Sequence, residues 1–90
     1  MKSKYILISG KVQGVFFRAQ MQKKAQELGF TGWIKNRLDG QVEAVLEGAE
    51  NNWSAMLDWC WQGPPTAVVR EVKVSDAPYS GTFTDVSVIY

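Results

Sequence analysis

Along this 90-residue chain the spacing of hydrophobic residues alternates between the period of a strand and that of a helix, with glycine or proline at the changes. Such a chain is neither all-helical nor all-strand and must pack helices on a sheet. Residues 4–9 are a short apolar run ending at Gly10, which reads as a central strand. Gly10-Lys11-Val12-Gln13-Gly14 is a loop. Phe17, Met21, Ala25 and Leu28 then fall on one face of a helix, and Gly29 is a natural stop. Residues 30–36 and 41–47 read as antiparallel strands around the tight turn Leu38-Asp39-Gly40. Val42, Ala44 and Leu46 share one face of the second strand; Glu43, Val45 and Glu47 share the other.

A second helix follows Gly48, with Trp53, Met56, Leu57, Cys60 and Trp61 at helical spacing, and Gly63-Pro64-Pro65 ends it. Residues 67–74 and 83–89 supply two more strands around a loop from Ala77-Pro78 to Gly81. The order βαββαβ plus a C-terminal strand predicts an α+β fold of the ferredoxin-like α/β sandwich type. Two helices pack on one face of a mostly antiparallel sheet, in a single domain over residues 1–90. That fold serves many unrelated activities, so function must be sought in particular residues.

Composition narrows the chemistry. There is no histidine and only one cysteine, Cys60. That excludes a histidine general base, Ser-His or Cys-His relays, His-containing zinc sites and an internal disulfide. One thiol needs no oxidising compartment, and neither a signal-peptide core nor an apolar run of membrane-spanning length is present. A cytoplasmic protein with no membrane partner is expected. The net charge of +1 divides unevenly: residues 1–40 carry eight Lys/Arg against Glu27 and Asp39, and residues 41–90 carry two against seven Asp/Glu. These charges either mingle on folding or leave an anion-attracting surface in the first half.

The segment Gly10 to Arg18 leads from a strand into a helix N-terminus, where unpaired N–H groups and the helix dipole favour an anion. Arg18 in the first turn opposes that dipole unless a bound oxyanion joins it to the backbone donors. The other reading is a plain strand-to-helix turn with a solvated arginine. Asn36, which precedes the hairpin turn, is either an ordinary turn-starting residue or an amide able to hold a water by donating and accepting together.

Taken together, these segments resemble the acylphosphatase family. Ile8-x-Gly10-x-Val12-Gln13-Gly14-Val15-x-Phe17-Arg18 is similar to its first signature, and Gly32-Trp33-Ile34-Lys35-Asn36-x-x-x-Gly40-x-Val42 to its second. Ala25-x-x-Leu28-Gly29 and Gly63-Pro64-Pro65-x-Ala67-x-Val69 extend the similarity. The resemblance implies hydrolysis of acyl phosphates, the mixed anhydrides of carboxylic and phosphoric acids, without metal or cofactor. It implies that Arg18 and the backbone amides of Gln13, Gly14, Val15, Phe16, Phe17 and Arg18 hold the phosphoryl group. It implies that Asn36 positions the attacking water. The partners are then the acyl phosphate and inorganic phosphate, and a monomer is expected. The rival reading is a non-catalytic phosphate- or anion-binding module of the same fold.

Two features depart from the family pattern. Phe16 stands where many members carry glycine, so that it narrows the acyl approach or forms an apolar wall. The chain end Val88-Ile89-Tyr90 lacks an arginine often found just before it. Trp53 and Trp61 are expected in the core, and Trp59 at its edge or partly exposed. Cys60 is expected as a buried, inert thiol. Glu43, Glu47 and Glu50 read as a solvated acidic face. Trp33 on an open sheet could stack on RNA, but the aromatic RNA-binding motif is absent, so no nucleic-acid partner is expected.

Overall fold

The computed structural model describes residues 1–89; Tyr90, the aromatic chain end, lies outside the described residues. The elements run β1 (Lys2–Lys11), α1 (Phe17–Glu27), β2 (Thr31–Asn36), β3 (Val42–Gly48), a 3₁₀ turn (Glu50–Asn52), α2 (Trp53–Gln62), β4 (Val68–Ala77) and β5 (Val86–Ile89). The five strands form one sheet in the order β4-β1-β3-β2-β5. All neighbours are antiparallel except β2 and β5, which run parallel. Two helices on this mixed sheet make the ferredoxin-like α+β fold expected from the element order.

The period-two runs pack as their pattern requires. Ile6 and Ile8 on β1, Ile34 on β2, and Val42, Ala44 and Leu46 on β3 are all fully buried under the helices. Phe17, Met21 and Ala25 of α1 close the core from the other side, with Trp53, Met56 and Cys60 of α2. Leu28 falls one residue past α1 as its cap, packing half-buried against the core.

β1 is longer than its apolar run, because Gly10 and Lys11 continue the pairing with β4 after a register shift at Ser9/Gly10. Only glycine fits there: φ is +129°, and a Cβ would overlap the carbonyl oxygen of Val68. The loop therefore begins at Val12. The turn at residues 38–40 forms as expected, closed by Arg37 N–H donating to Gln41 O at 2.8 Å.

Two expectations are overturned. Trp61 is 52% exposed, whereas the half-buried Trp59 packs edge-on against Phe17 with ring centroids 5.2 Å apart. At about 100° per residue, Trp59 and Trp61 flank the centre of the buried stripe by roughly 90° and 110° on opposite sides. α1 lies on the Trp59 side, and spacing within α2 alone does not reveal that choice.

Glu43 and Glu47 are likewise not a solvated face. Glu47 is 1% exposed and Glu43 is half-buried, while Glu50 is exposed. β4 and β5 occupy opposite edges of the sheet, so residues 78–85 must cross its full width. They cross over Glu47, whose carboxylate accepts from Ser80 N–H at 2.9 Å and Gly81 N–H at 3.1 Å.

The uneven charge is partly evened by folding. Lys2, Lys4 and Arg37 from the first half pair with Glu50, Asp76 and Glu43 from the second, at 4.0, 2.9 and 3.1 Å.

Candidate active site

β1, β2 and β5 all point the same way, because β1 and β2 are each antiparallel to β3 and β5 is parallel to β2. Their C-terminal ends therefore meet at one end of the sheet, and α1 begins there directly after the loop from β1. A cleft of about 330 Å³ opens at this junction. Its lining includes Gln13, Gly14 and Arg18 from the loop and α1, Asn36 from the end of β2, and Val88 from β5. The structure thus brings the loop, Arg18 and Asn36 to one cavity from three separate segments.

The loop enters α1 without a side-chain cap. Phe16 is the N-cap residue, with φ 62° and ψ 22°, and the first intrahelical bond is Gln20 N–H to Phe16 O at 3.1 Å. The N–H groups of Phe17, Arg18 and Ala19 precede that bond and have no acceptor within the helix. Gly14 also has positive φ, +72°, a conformation that costs glycine little and lets the backbone curl toward an anion. Val15 is different: its side chain is buried in the core and does not line the cleft. Any contribution it makes to a ligand comes from the backbone.

Arg18 is held toward the cleft from the far side. Its Nη1 donates to Ile89 O at 3.2 Å, which ties the guanidinium to β5. Gln22, one turn further along α1, donates to Val86 O at 2.7 Å and fastens the same strand. Asn36 shares the parity of buried Ile34, so its side chain faces the helix layer where α1 starts. Its Oδ1 is buried and has no hydrogen-bond partner among the described residues. A buried amide oxygen without a partner is uncommon in a folded protein and marks a place where a polar group is wanted.

Sequence reasoning missed the side-chain role of Gln13. Its carboxamide Nε2 donates to Arg37 O at 2.7 Å and Gln41 O at 3.0 Å, clamping the loop to the hairpin turn that follows Asn36. The turn is braced in its own right. Arg37 pairs with Asp39 at 3.0 Å and Glu43 at 3.1 Å, and the Tyr5 hydroxyl donates to Glu43 at 2.5 Å. The Tyr5 hydroxyl and Arg37 hold the Glu43 carboxyl below the usual carboxylate range. The same bond to Glu43 raises the Tyr5 phenol.

Cys60 lies in the core, and burial pushes its thiol up to about 12, as an inert cysteine requires. No three His, Cys, Asp or Glu side chains converge as a metal site among the described residues.

The fold and the cleft define a small α/β sandwich with an open cleft at a helix N-terminus, lined by an arginine and an asparagine whose buried Oδ1 has no partner among the described residues. Comparison with known proteins makes the class specific. The acylphosphatase family model matches residues 4–88. An acylphosphatase from Pelotomaculum thermopropionicum is 45% identical over 86 residues, covering 96% of this chain and 94% of that protein. One from Marinobacter nauticus is 49% identical over 81 residues, covering 90% and 88%. The crystal structure of acylphosphatase from Bacillus subtilis superposes with a TM-score of 0.95 at 33% identity, covering 100% of both chains. The chain belongs to the acylphosphatase family.

Proposed function

We propose that this cleft hydrolyses acyl phosphates, with Arg18 and the backbone amides of residues 13–18 holding the phosphoryl group and Asn36 positioning the attacking water. The observation that carries this reading is the buried, unpartnered Asn36 Oδ1 in the same cleft as Arg18 and the uncapped start of α1. A site that only bound an anion would have no use for an acceptor atom beside it, since an anion supplies acceptors and wants donors.

The chemistry suits these groups. The water oxygen forms a bond to phosphorus, and the bond from phosphorus to the acyl oxygen breaks with its electron pair leaving on the carboxylate. The water proton passes to a phosphoryl oxygen. A carboxylate with a conjugate acid near pKa 4 needs little protonation as it departs, so no general acid is demanded. What remains is to align the water with phosphorus and to stabilise charge on the equatorial oxygens. Asn36 does the first by accepting from the water, and Arg18 with the loop amides does the second. No step calls on a metal or cofactor. The same reading has the protein work as a cytoplasmic monomer. Among the described residues no helix is long and apolar enough to cross a membrane.

The test is hydrolysis of benzoyl phosphate by the purified protein, with competitive inhibition by inorganic phosphate. Arg18→Ala is expected to lower kcat by about 10²–10³, the usual effect of removing one donor to transition-state charge. Asn36→Ala is expected to lower kcat while leaving the inhibition constant of phosphate nearly unchanged, because it acts on the water. Near wild-type turnover in both variants overturns the assignment. Phosphate binding without any hydrolysis by the wild type supports a binding module instead.

A further inference from the structure

We propose that Gln22 is a positioning residue for the reaction, holding β5 so that the Arg18 guanidinium stays aimed at the phosphoryl site; this rests on the acyl phosphate reading above. Arg18, Gln22 and Gln26 stand at i, i+4 and i+8, so they form one polar row along α1. Each donates to β5 or to the residue that opens it. Arg18 Nη1 donates to Ile89 O at 3.2 Å, Gln22 Nε2 to Val86 O at 2.7 Å, and Gln26 Nε2 to the Asp85 carboxylate at 3.1 Å. The Gln22 bond is the shortest of the three and the one that is partly buried. An acceptor left unmet costs more there than in open solvent.

The strand depends on this row. β5 is four residues long, lies at the edge of the sheet, and has β2 as its one strand neighbour among the described residues. Its register runs from Gly32↔Val86 to Lys35↔Ile89, which brings it beside Asn36. A shift of β5 therefore moves the Ile89 carbonyl, and the guanidinium bonded to it, relative to the Asn36 amide. Gln22 also lines the cleft, but it gives an N–H to Val86 O, so it acts on the strand. An arginine has many rotamers, and fixing it before the substrate arrives spares that ordering on the way to the transition state.

The experiment compares kcat for benzoyl phosphate, the inhibition constant of inorganic phosphate and the urea midpoint in the wild type, Gln22→Met, Gln22→Lys and Gln26→Met. Methionine keeps the length and helix propensity of glutamine but has no donor. Gln22→Met is expected to lower kcat about fivefold to tenfold and to weaken phosphate inhibition by a similar factor, both measured without urea on folded protein. Gln26→Met, two turns from Arg18, is expected to lower the urea midpoint while both constants stay within about twofold of wild type. Gln22→Lys restores a donor within reach of Val86 O and is expected to keep kcat within about threefold. A lower midpoint in Gln22→Met with wild-type kcat and phosphate inhibition overturns the proposal, as does an equally low kcat in Gln22→Lys. Equal kinetic losses in Gln22→Met and Gln26→Met also overturn it, by tracing the effect to a general loosening of β5. Gln22→Ala takes the place of Gln22→Met if that variant does not fold. If the wild type neither hydrolyses benzoyl phosphate nor binds inorganic phosphate, the acyl phosphate reading itself fails.

Discussion

Phe16 sets stability against the shape of the loop. Its φ of 62° puts an L side chain in a region that costs roughly 1–2 kcal/mol relative to right-handed backbone. Glycine removes that cost but gives back part of the gain as extra freedom in the unfolded chain. Phe16→Gly is therefore expected to raise the unfolding free energy by up to about 1 kcal/mol. Urea denaturation checks this, with the midpoint moving up at constant slope. A fall in midpoint would mean that the ring stabilises the folded protein through contacts worth more than its backbone strain. At Asn36 the residue type and strand position were readable in the sequence, and so was the alternative of a plain turn residue. What favours the water-holding reading proposed above is a buried oxygen without a partner, which depends on everything that packs around it.

Among the elements, the strands and helices were legible because each carries its own period, and the departures come from neighbours distant in sequence. Trp59 and Trp61 are nearly symmetric about the buried face of α2, and only the position of α1 decides which one is covered. The Gln13 clamp belongs to the same class, joining the loop before α1 to a turn 24–28 residues away. That clamp fixes the spacing between the loop before α1 and Asn36, so under the proposed reading Gln13 is a positioning residue as well as a backbone donor. Gln13→Ala leaves the carbonyls of Arg37 and Gln41 without this donor and is expected to cost about 1–2 kcal/mol of stability. The kinetic loss is expected in kcat, about tenfold, with a smaller change in KM, because misplacing water relative to phosphorus affects the transition state more than binding. Steady-state kinetics alongside denaturation separates the two effects. A variant that lost stability but kept kcat would reduce the clamp to a purely structural role.

For the molecule as a whole, the crossover from β4 to β5 is the feature that local sequence conceals, and it links the far end of the sheet to the cleft. Residues 78–85 are pinned by Glu47 and lead straight into β5, whose Val88 lines the cleft and whose Ile89 carbonyl holds Arg18. Burial pushes the Glu47 carboxyl up, but hydrogen bonds from the Ser80 and Gly81 backbone outweigh it and leave it below its ordinary value. A depressed carboxyl stabilises the fold fully above the ordinary glutamate range, and that stability is lost as pH falls through the folded value. Glu43 has the same sign. Tyr5 has the opposite one: raised by its bond to Glu43, it contributes below about pH 10 and is lost as pH rises through the folded value. Cys60, whose thiol burial pushes up to about 12, has the sign of Tyr5 and contributes fully only below the ordinary thiol value of about 8.5. Stability should therefore be flat between about pH 5 and pH 8 and fall on both sides. Glu47→Gln keeps the size of the side chain but points an NH₂ group at backbone donors, and is expected to cost about 1.5–3 kcal/mol at neutral pH. Because only the wild type loses the charged interaction in acid, the difference between the two proteins should shrink as pH falls below about 4. Denaturation midpoints measured from pH 3 to pH 7 decide the matter, and a constant offset across that range would show that the crossover is held by packing and not by the Glu47 charge.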